Sequence, residues 1–241
     1  MAGIIAGEVL PCPPPDELGP RLRALADAVL PGRAMADLCC DHALVAATLV
    51  AEGRVPRAIA GDVRAAPLAV ARSTLARLGV ADRVALRRGD GFAVLEPGEV
   101  ASVVIAGVGS ARLAALLEQG ADADRLVGIE RMVLHAEDGF PRVGALRACI
   151  DRLGFGFVGE TLVHERERFH LVMVVEPGRG ARVHDAVDRE LGPLLRRGDD
   201  PNFVAWRVHE RERIARALAD MASARAPAQR EAFAAFHAML G

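Results

Sequence analysis

The chain contains no lysine and no tyrosine: all 30 of its basic residues are arginine, and it carries a single tryptophan. The arginine and alanine bias marks a GC-rich coding sequence and carries no functional meaning of its own. No stretch of about 18 uninterrupted apolar residues occurs, so no segment is expected to span a bilayer. The four cysteines, Cys12, Cys39, Cys40 and Cys149, lack the dense, even spacing of a disulfide framework, and vicinal Cys39-Cys40 makes a poor structural bridge. Met1–Leu10 is too short for a secretory signal and Glu8 interrupts it, which together with the cysteine usage points to the cytoplasm. Neither G-x-G-x-x-G after the first expected strand nor G-x-x-x-x-G-K-[ST] anywhere is present, which removes the phosphate cradles of dinucleotide and P-loop sites. The formal charge of −2 supplies no strong overall field toward nucleic acid or membrane, though a local basic face remains open.

What the sequence does hold is a core. Half of its 241 residues are hydrophobic, enough for one large domain or a main domain with an appendage. Three segments are distinguishable. Residues 1–19 are Pro-rich, with Pro11 followed by Pro13-Pro14-Pro15, and cannot be regular helix. Residues 20–177 alternate short apolar runs with amphipathic stretches. Residues 178–241 show no convincing strand and hold eleven Arg against nine Asp and Glu, a weak basic excess.

Pro20 stands at a first helical position, and Leu22, Leu25, Ala26 and Val29 follow at helical spacing. Strands are expected at Ala34–Leu38, Arg57–Ala60, Arg83–Leu86, Ser102–Ala106 and Arg131–Leu134. Helices are expected at Ala43–Glu52, Ala66–Leu78, Ala111–Glu118 and Val143–Leu153. Phe157–His164 and His170–Glu176 read as a terminal antiparallel pair around the charged run Glu165–Arg168, itself read as a solvated tip. Strands alternating with helices call for an α/β doubly wound, mostly parallel sheet. Beyond Pro177-Gly178, Asp200-Pro201 is a helix start, with Ile214, Leu218 and Met221 on one face. Pro227 interrupts, and Phe233, Phe236 and Leu240 form a second stripe, giving a helical hairpin whose stripes face each other or the main domain.

In a doubly wound sheet, ligands bind at the carboxyl ends of the strands. Here strand one ends in Asp37-Leu38-Cys39-Cys40-Asp41-His42, strand two in Gly61-Asp62-Val63, strand three in Gly89-Asp90-Gly91 and strand four in Ala106-Gly107-Val108-Gly109-Ser110. Asp62 is placed to accept hydrogen bonds from the hydroxyls of a ribose. Asp90 is placed to accept from an exocyclic adenine amine, and Asp37 to help position a cationic amino group. An acid-rich site suits a nucleoside with ammonium and sulfonium centres and no phosphates, so S-adenosylmethionine is the best-matched ligand.

These residues resemble the bacterial tRNA adenine-N1 methyltransferases of the TrmK type, from about Arg21 to about Arg213. The anchors are Asp37-Leu38-Cys39-Cys40-Asp41-His42-Ala43, Ala60-Gly61-Asp62-Val63, Gly89-Asp90-Gly91-Phe92 and Ile105-Ala106-Gly107-Val108-Gly109. A further anchor is Leu191-Gly192-Pro193-Leu194-Leu195, running on to Pro201, Phe203 and Trp206. The resemblance implies a Rossmann-like, seven-stranded methyltransferase sheet with the last strand antiparallel, a C-terminal helical hairpin, and methyl transfer to N1 of an adenine in tRNA. The chain departs from the family at four places. Cys39 replaces a glycine in the first turn, Gly107-Val108-Gly109-Ser110 replaces Gly-Met-Gly-Gly, His135-Ala136-Glu137 replaces Gln-Pro-Asn, and Phe169-His170 replaces Tyr-Glu.

The cofactor contacts expected are therefore Asp37, Cys39, Asp41, Gly61, Asp62, Val63, Gly89, Asp90, Gly91, Ala106 and Gly107. Adenine N1 has an available lone pair, so the main requirement is in-line positioning, with a carboxylate beside the exocyclic amine. Asp41 is the first candidate, oriented by His42, with His135 and Glu137 as the substituted acceptor loop. A flipped base is usually gripped by aromatic side chains, which this chain supplies thinly.

Duller readings stand beside these. Asp41 could N-cap the helix at Ala43. Cys39-Cys40 could be a thiol pair activated at a helix N-terminus, but small-residue packing is favoured. A metal site from adjacent Cys39, Cys40, Asp41 and His42 is not expected, because neighbours cannot all converge on one ion. The stripes on the last helices read as core or dimer contact before RNA contact, and the expected state is a monomer or weak homodimer. Two further functional classes remain open: a methyltransferase for a small molecule, and a non-catalytic relative that binds S-adenosylmethionine or RNA.

Overall fold

The computed structural model describes residues 18–140, 142–220 and 227–241. The Pro-rich segment lies outside the described residues except for its last two positions, as do Cys12 and Met221.

Seven strands form one sheet: β1 (Met35–Leu38), β2 (Ala58–Asp62), β3 (Val84–Arg88), β4 (Ser102–Val108), β5 (Arg131–Ala136), β6 (Phe155–Glu165) and β7 (Arg168–Pro177). Their order is β3-β2-β1-β4-β5-β7-β6. The first five pair in parallel, whereas β7 runs antiparallel to both β5 and β6. The sheet is α/β and doubly wound, as the alternation of the sequence requires.

Strand side chains alternate between two buried layers. On one face Met35, Ala58, Ala60, Val104 and Val133 pack with α1 (Pro20–Asp27), α2 (Leu44–Ala51) and α3 (Ala65–Leu78), through residues such as Leu25, Leu49 and Leu75. On the other, Ala36, Leu38, Val103, Ile105 and Leu134 pack with α4 (Ser110–Asp122) and α5 (Val143–Arg152). That second layer continues without a break into α6 (Ala186–Leu191), α7 (Pro201–Asp220) and α8 (Pro227–Met239), where Phe203, Trp206, Ile214, Phe236 and Leu240 are buried. The two stripes of the helical hairpin thus serve each other and the main core together.

Asp200 caps α7 as its sequence predicts, its Oδ1 accepting from Asn202 N at 2.8 Å and Phe203 N at 3.1 Å. It also anchors the helix to the edge of the sheet. Its Oδ2 accepts from Leu162 N at 3.1 Å, and the Asn202 amide donates to Leu162 O at 2.7 Å. These bonds satisfy backbone groups that edge strand β6 would otherwise leave unpaired. The β6–β7 turn is solvated as expected at His164, Arg166, Glu167 and Arg168 and half-buried at Glu165. Arg166 and Glu167 both adopt positive φ, closing a tight hairpin, and Glu165 folds back to accept from Arg21 N at 3.4 Å. The tip touches α1 through Glu165.

Candidate active site

The strand order reverses between β1 and β4, and a cavity of about 550 Å³ opens at the carboxyl ends of the strands on either side of that point. Asp37, Cys39, Cys40, Asp41 and His42 line it from β1 and its loop, Asp62 and Val63 from β2, Asp90 and Gly91 after β3, and Ala106 and Gly107 from β4. Four strand ends that are distant in sequence converge on one hollow. Gly107 has φ +77, and a β-carbon there would meet no atom within 4 Å, so the backbone itself forms part of the wall.

The loop from Cys39 to Ala43 is unusual. Cys39, Asp41 and Ala43, none of them glycine, all sit in the left-handed region, with φ of 58°, 46° and 53°. Each such residue costs roughly 1–3 kcal/mol. Cys40 N donating to Gly61 O at 3.1 Å, and Ala43 N donating to Cys40 O at 2.8 Å, hold the loop in that form. The helix starts at Leu44 with Ala43 as its cap residue and no side-chain cap, so Asp41 is not an N-cap. Its carboxylate projects into the cavity mouth, 3.0 Å from His42 Nε2 and 3.7 Å from Arg64 Nη2.

The acids differ in their surroundings. Asp37 is 5% exposed; burial pushes its carboxyl up to about 7, and the N–H of Ala46, 3.4 Å away, pulls only weakly the other way. Asp62 is 4% exposed and its Oδ1 accepts from the Arg64 N–H at 2.8 Å. Asp90 forms an ion pair with Arg112 of α4. Burial pushes the Cys39 thiol up to about 11 and the Cys40 thiol higher still, with nearby carboxylates adding to both. Neither is a thiolate, so the activated-thiol reading fails on charge.

Four expected site residues do not line the cavity. A β-carbon on Gly61 or Gly89 would strike the Val94 side chain at 2.8 or 2.6 Å, so those glycines make room for packing. His135 is 1% exposed on β5, its Nε2 lying 3.1 Å from His170 Nδ1. Burial, followed by the charge of Arg21, holds it near 3, so it is neutral, and among the described residues its Nδ1 has no partner in another residue. Glu137 lies just beyond and pairs with Arg168 at 3.4 Å. Two of the four departures from the family pattern, His135 and His170, are therefore each other's neighbours.

Three arginines at the site lie outside the sequence expectation. Arg21, Arg64 and Arg112 line the cavity. Arg64 could have been found from its place two residues after Asp62, and Arg112 from its place in the first turn of the helix after β4. Arg21 carried no signal, because α1 reaches the site only through the tertiary fold. Asp138 accepts from both Ser110 N at 2.7 Å and Ser110 Oγ at 2.6 Å. That pair ties the start of α4 to the loop after β5 and gives the Ser110 departure a structural reason.

A parallel sheet with β7 reversed, bearing an acid-lined nucleoside-sized hollow at its switch point and no dinucleotide fingerprint, defines a Rossmann-like methyltransferase fold. A family model described as a methyltransferase domain matches residues 18–173, and the chain belongs to that family. The tRNA (adenine(22)-N(1))-methyltransferase of Bacillus subtilis (strain 168) is 29% identical over 181 residues, which is 74% of this chain and 73% of that protein. Streptococcus pneumoniae Sp1610 is 28% identical and superposes with a TM-score of 0.83 over 93% of this chain and 98% of that one. The same protein in complex with S-adenosyl-L-methionine gives a TM-score of 0.81 over the same shares. The B. subtilis TrmK structure, at 24% identity and a TM-score of 0.80 over 93% of this chain and 97% of that one, shows the shared fold.

Proposed function

We propose that this chain is an S-adenosylmethionine-dependent methyltransferase that modifies N1 of an adenine in tRNA, working in the cytoplasm. The observation that carries the reading is the row of Asp37, Asp62 and Asp90 around one cavity whose β4 wall is open backbone at Gly107. The donor set fits the cofactor. It offers carboxylates for an ammonium group, two ribose hydroxyls and an exocyclic amine, and no anion-binding glycine loop that would call for phosphates. Asp37 would hold the amino group, Asp62 the sugar and Asp90 the adenine, with Gly91 and Ala106 beside the base and Gly107 beside the methionine portion. The similarity to the B. subtilis tRNA methyltransferase supports the acceptor.

When bound, the cofactor supplies a methyl group on a sulfonium: the N1–carbon bond forms as the carbon–sulfur bond breaks, leaving a neutral thioether and a cationic adenine. The chain's part is to align and stabilise. N1 needs no proton removed, so no general base is required. Asp41, held by His42, accepts the hydrogen bond of the exocyclic amine and faces the positive charge as it grows. His135, neutral and out of the cavity, acts with His170 to position the loop after β5. The division into a catalytic unit over 20–177 and a helical unit over 178–241 belongs to this reading.

The test is transfer of labelled methyl from S-adenosylmethionine to unmodified tRNA, followed by nucleoside analysis for 1-methyladenosine. Asp62→Ala is expected to raise the dissociation constant of the cofactor about 10–100-fold, the loss of hydrogen bonds to a charged group. Asp41→Ala is expected to lower the transfer rate by two or more decades with cofactor binding kept. Cofactor binding without any label in tRNA would return the small-molecule reading.

A further inference from the structure

Three arginines line the cavity, and each is tied to a carboxylate. Arg21 reaches Glu165 at 3.9 Å, Arg64 reaches Asp62 through Nε at 3.4 Å, and Arg112 is paired with Asp90. Two of these carboxylates are the ones the proposed function assigns to the cofactor's sugar and base. A carboxylate oxygen has few lone-pair directions, and Asp62 Oδ1 already spends one on the Arg64 backbone N–H. Ribose hydroxyls and the Arg64 guanidinium therefore compete for Asp62, and the exocyclic amine of adenine competes with Arg112 for Asp90.

Arg64 and Arg112 are the more exposed members of their pairs or equal to them, with side chains 66% and 44% accessible. Once deprived of a partner, each is a guanidinium fork lining the cavity, Arg64 beside Asp41, the residue assigned to the acceptor base. Such forks match phosphate oxygens in geometry and charge. The other group near Arg64, Asp41 at 3.7 Å, is held through its second oxygen by His42.

We propose that Arg64 and Arg112 are phosphate-contacting residues for the RNA acceptor, and that the cofactor uncovers them by taking over Asp62 and Asp90. The inference rests on the function proposed above and deepens it. Cofactor and RNA then bind with positive coupling, and by linkage each strengthens the other by the same factor. The arrangement favours cofactor first and RNA second, since RNA meets its full set of cations only at the loaded site.

The experiment measures binding of unmodified tRNA to the full chain by fluorescence anisotropy, with and without saturating S-adenosylhomocysteine, at several salt concentrations. The same proteins are titrated with S-adenosylhomocysteine alone by calorimetry. In the parent, S-adenosylhomocysteine is expected to tighten tRNA binding about fivefold or more and to steepen the salt dependence by about one to two phosphate contacts. Arg64→Gln and Arg112→Gln are expected to lose that enhancement while binding S-adenosylhomocysteine at least as tightly as the parent, which also shows that they are folded. Weaker S-adenosylhomocysteine binding by either variant would make that arginine a cofactor ligand and overturn the proposal. Parent tRNA affinity indifferent to S-adenosylhomocysteine would overturn this inference alone. Failure to bind tRNA under every condition, with S-adenosylhomocysteine bound, would overturn the tRNA assignment as well.

Discussion

Arg147 Nε stands 2.8 Å from Glu160 Oε1, and neither side chain has any exposure to solvent. The pair closes a seam. Arg147 Nη1 donates to Arg189 O at 3.2 Å and Glu190 O at 2.9 Å, while Glu160 Oε2 accepts from Leu194 N at 2.9 Å. The guanidinium also lies 5.2 Å from the centre of the Phe140 ring, which packs tilted by 30° against Trp206 with centroids 4.1 Å apart. One buried ion pair thus joins α5, β6, the segment around Gly192, the loop after β5 and α7.

Removing one partner leaves the other charged and buried, so Arg147→Ala is expected to destabilise by about 3–5 kcal/mol. Arg147→Met with Glu160→Leu removes both charges and is expected to recover much of that loss. Urea midpoints with unchanged slopes check both. A single variant as stable as the parent would show that the seam does not depend on the pair.

Gly192 explains why the Leu191-Gly192-Pro193 segment carries information. Its φ is +100, and a β-carbon there would meet the Glu160 carboxylate at 2.5 Å. That carboxylate is pinned by Arg147 and cannot move aside. Gly192→Ala is expected to cost at least about 2 kcal/mol through backbone strain and overpacking. Thermal denaturation of the variant measures it.

The raised pKa of Asp37 gives a pH dependence with a definite sign. Its folded value, about 7, lies above the ordinary carboxylate value, so its contribution to stability is complete below pH ~4 and is lost as the pH rises through about 7. Holding a cationic amino group needs the ionised form. Cofactor affinity is therefore expected to rise from pH 6 to pH 8, with proton release on binding at the lower end. Calorimetry in buffers of different ionisation enthalpy counts the proton. Asp37→Asn is expected to melt higher at pH 8, bind more weakly and show a flat pH profile.

His135 works in the opposite direction. Burial lowers its value to about 3, with Arg21 and His170 contributing, so the stability it confers is complete above its unfolded value near 6.5 and is lost as the pH falls. Denaturant midpoints are expected to drop between pH 6.5 and pH 3, and the drop is expected to be smaller in His135→Gln. An identical acid profile in that variant would remove His135 from the account.

The strands were legible where side chains are apolar and unclear where they are not. The apolar runs end at Ala60, Leu86, Ala106 and Leu134, whereas the strands run on to Asp62, Arg88, Val108 and Ala136. Backbone pairing continues through these ends, as in Ala60, Gly61 and Asp62 against Leu86, Arg87 and Arg88, although the hydrophobic run has ended. Beyond the apolar runs, Asp62 on β2 and Gly107 and Val108 on β4 form part of the cavity wall: a site needs polar or small side chains on a backbone still held by the sheet.

The glycines misled for a related reason. Gly61 and Gly89 adjoin the acids of the site, but what excludes a side chain there is Val94, and Val94 enters through a short 3-10 turn at Gly91–Val94 that no periodicity announces.

The sequence by itself determined the alternation of strands and helices, the doubly wound sheet and the small or acidic residues at four strand ends, because these follow from local periodicity and from a topology with few alternatives. Only the tertiary structure decided that His135 meets His170, that Arg21 reaches the cavity from α1, and that Arg112 sits on Asp90. Those contacts join residues far apart in the chain, and their partners are fixed by how the layers pack, which no local pattern records.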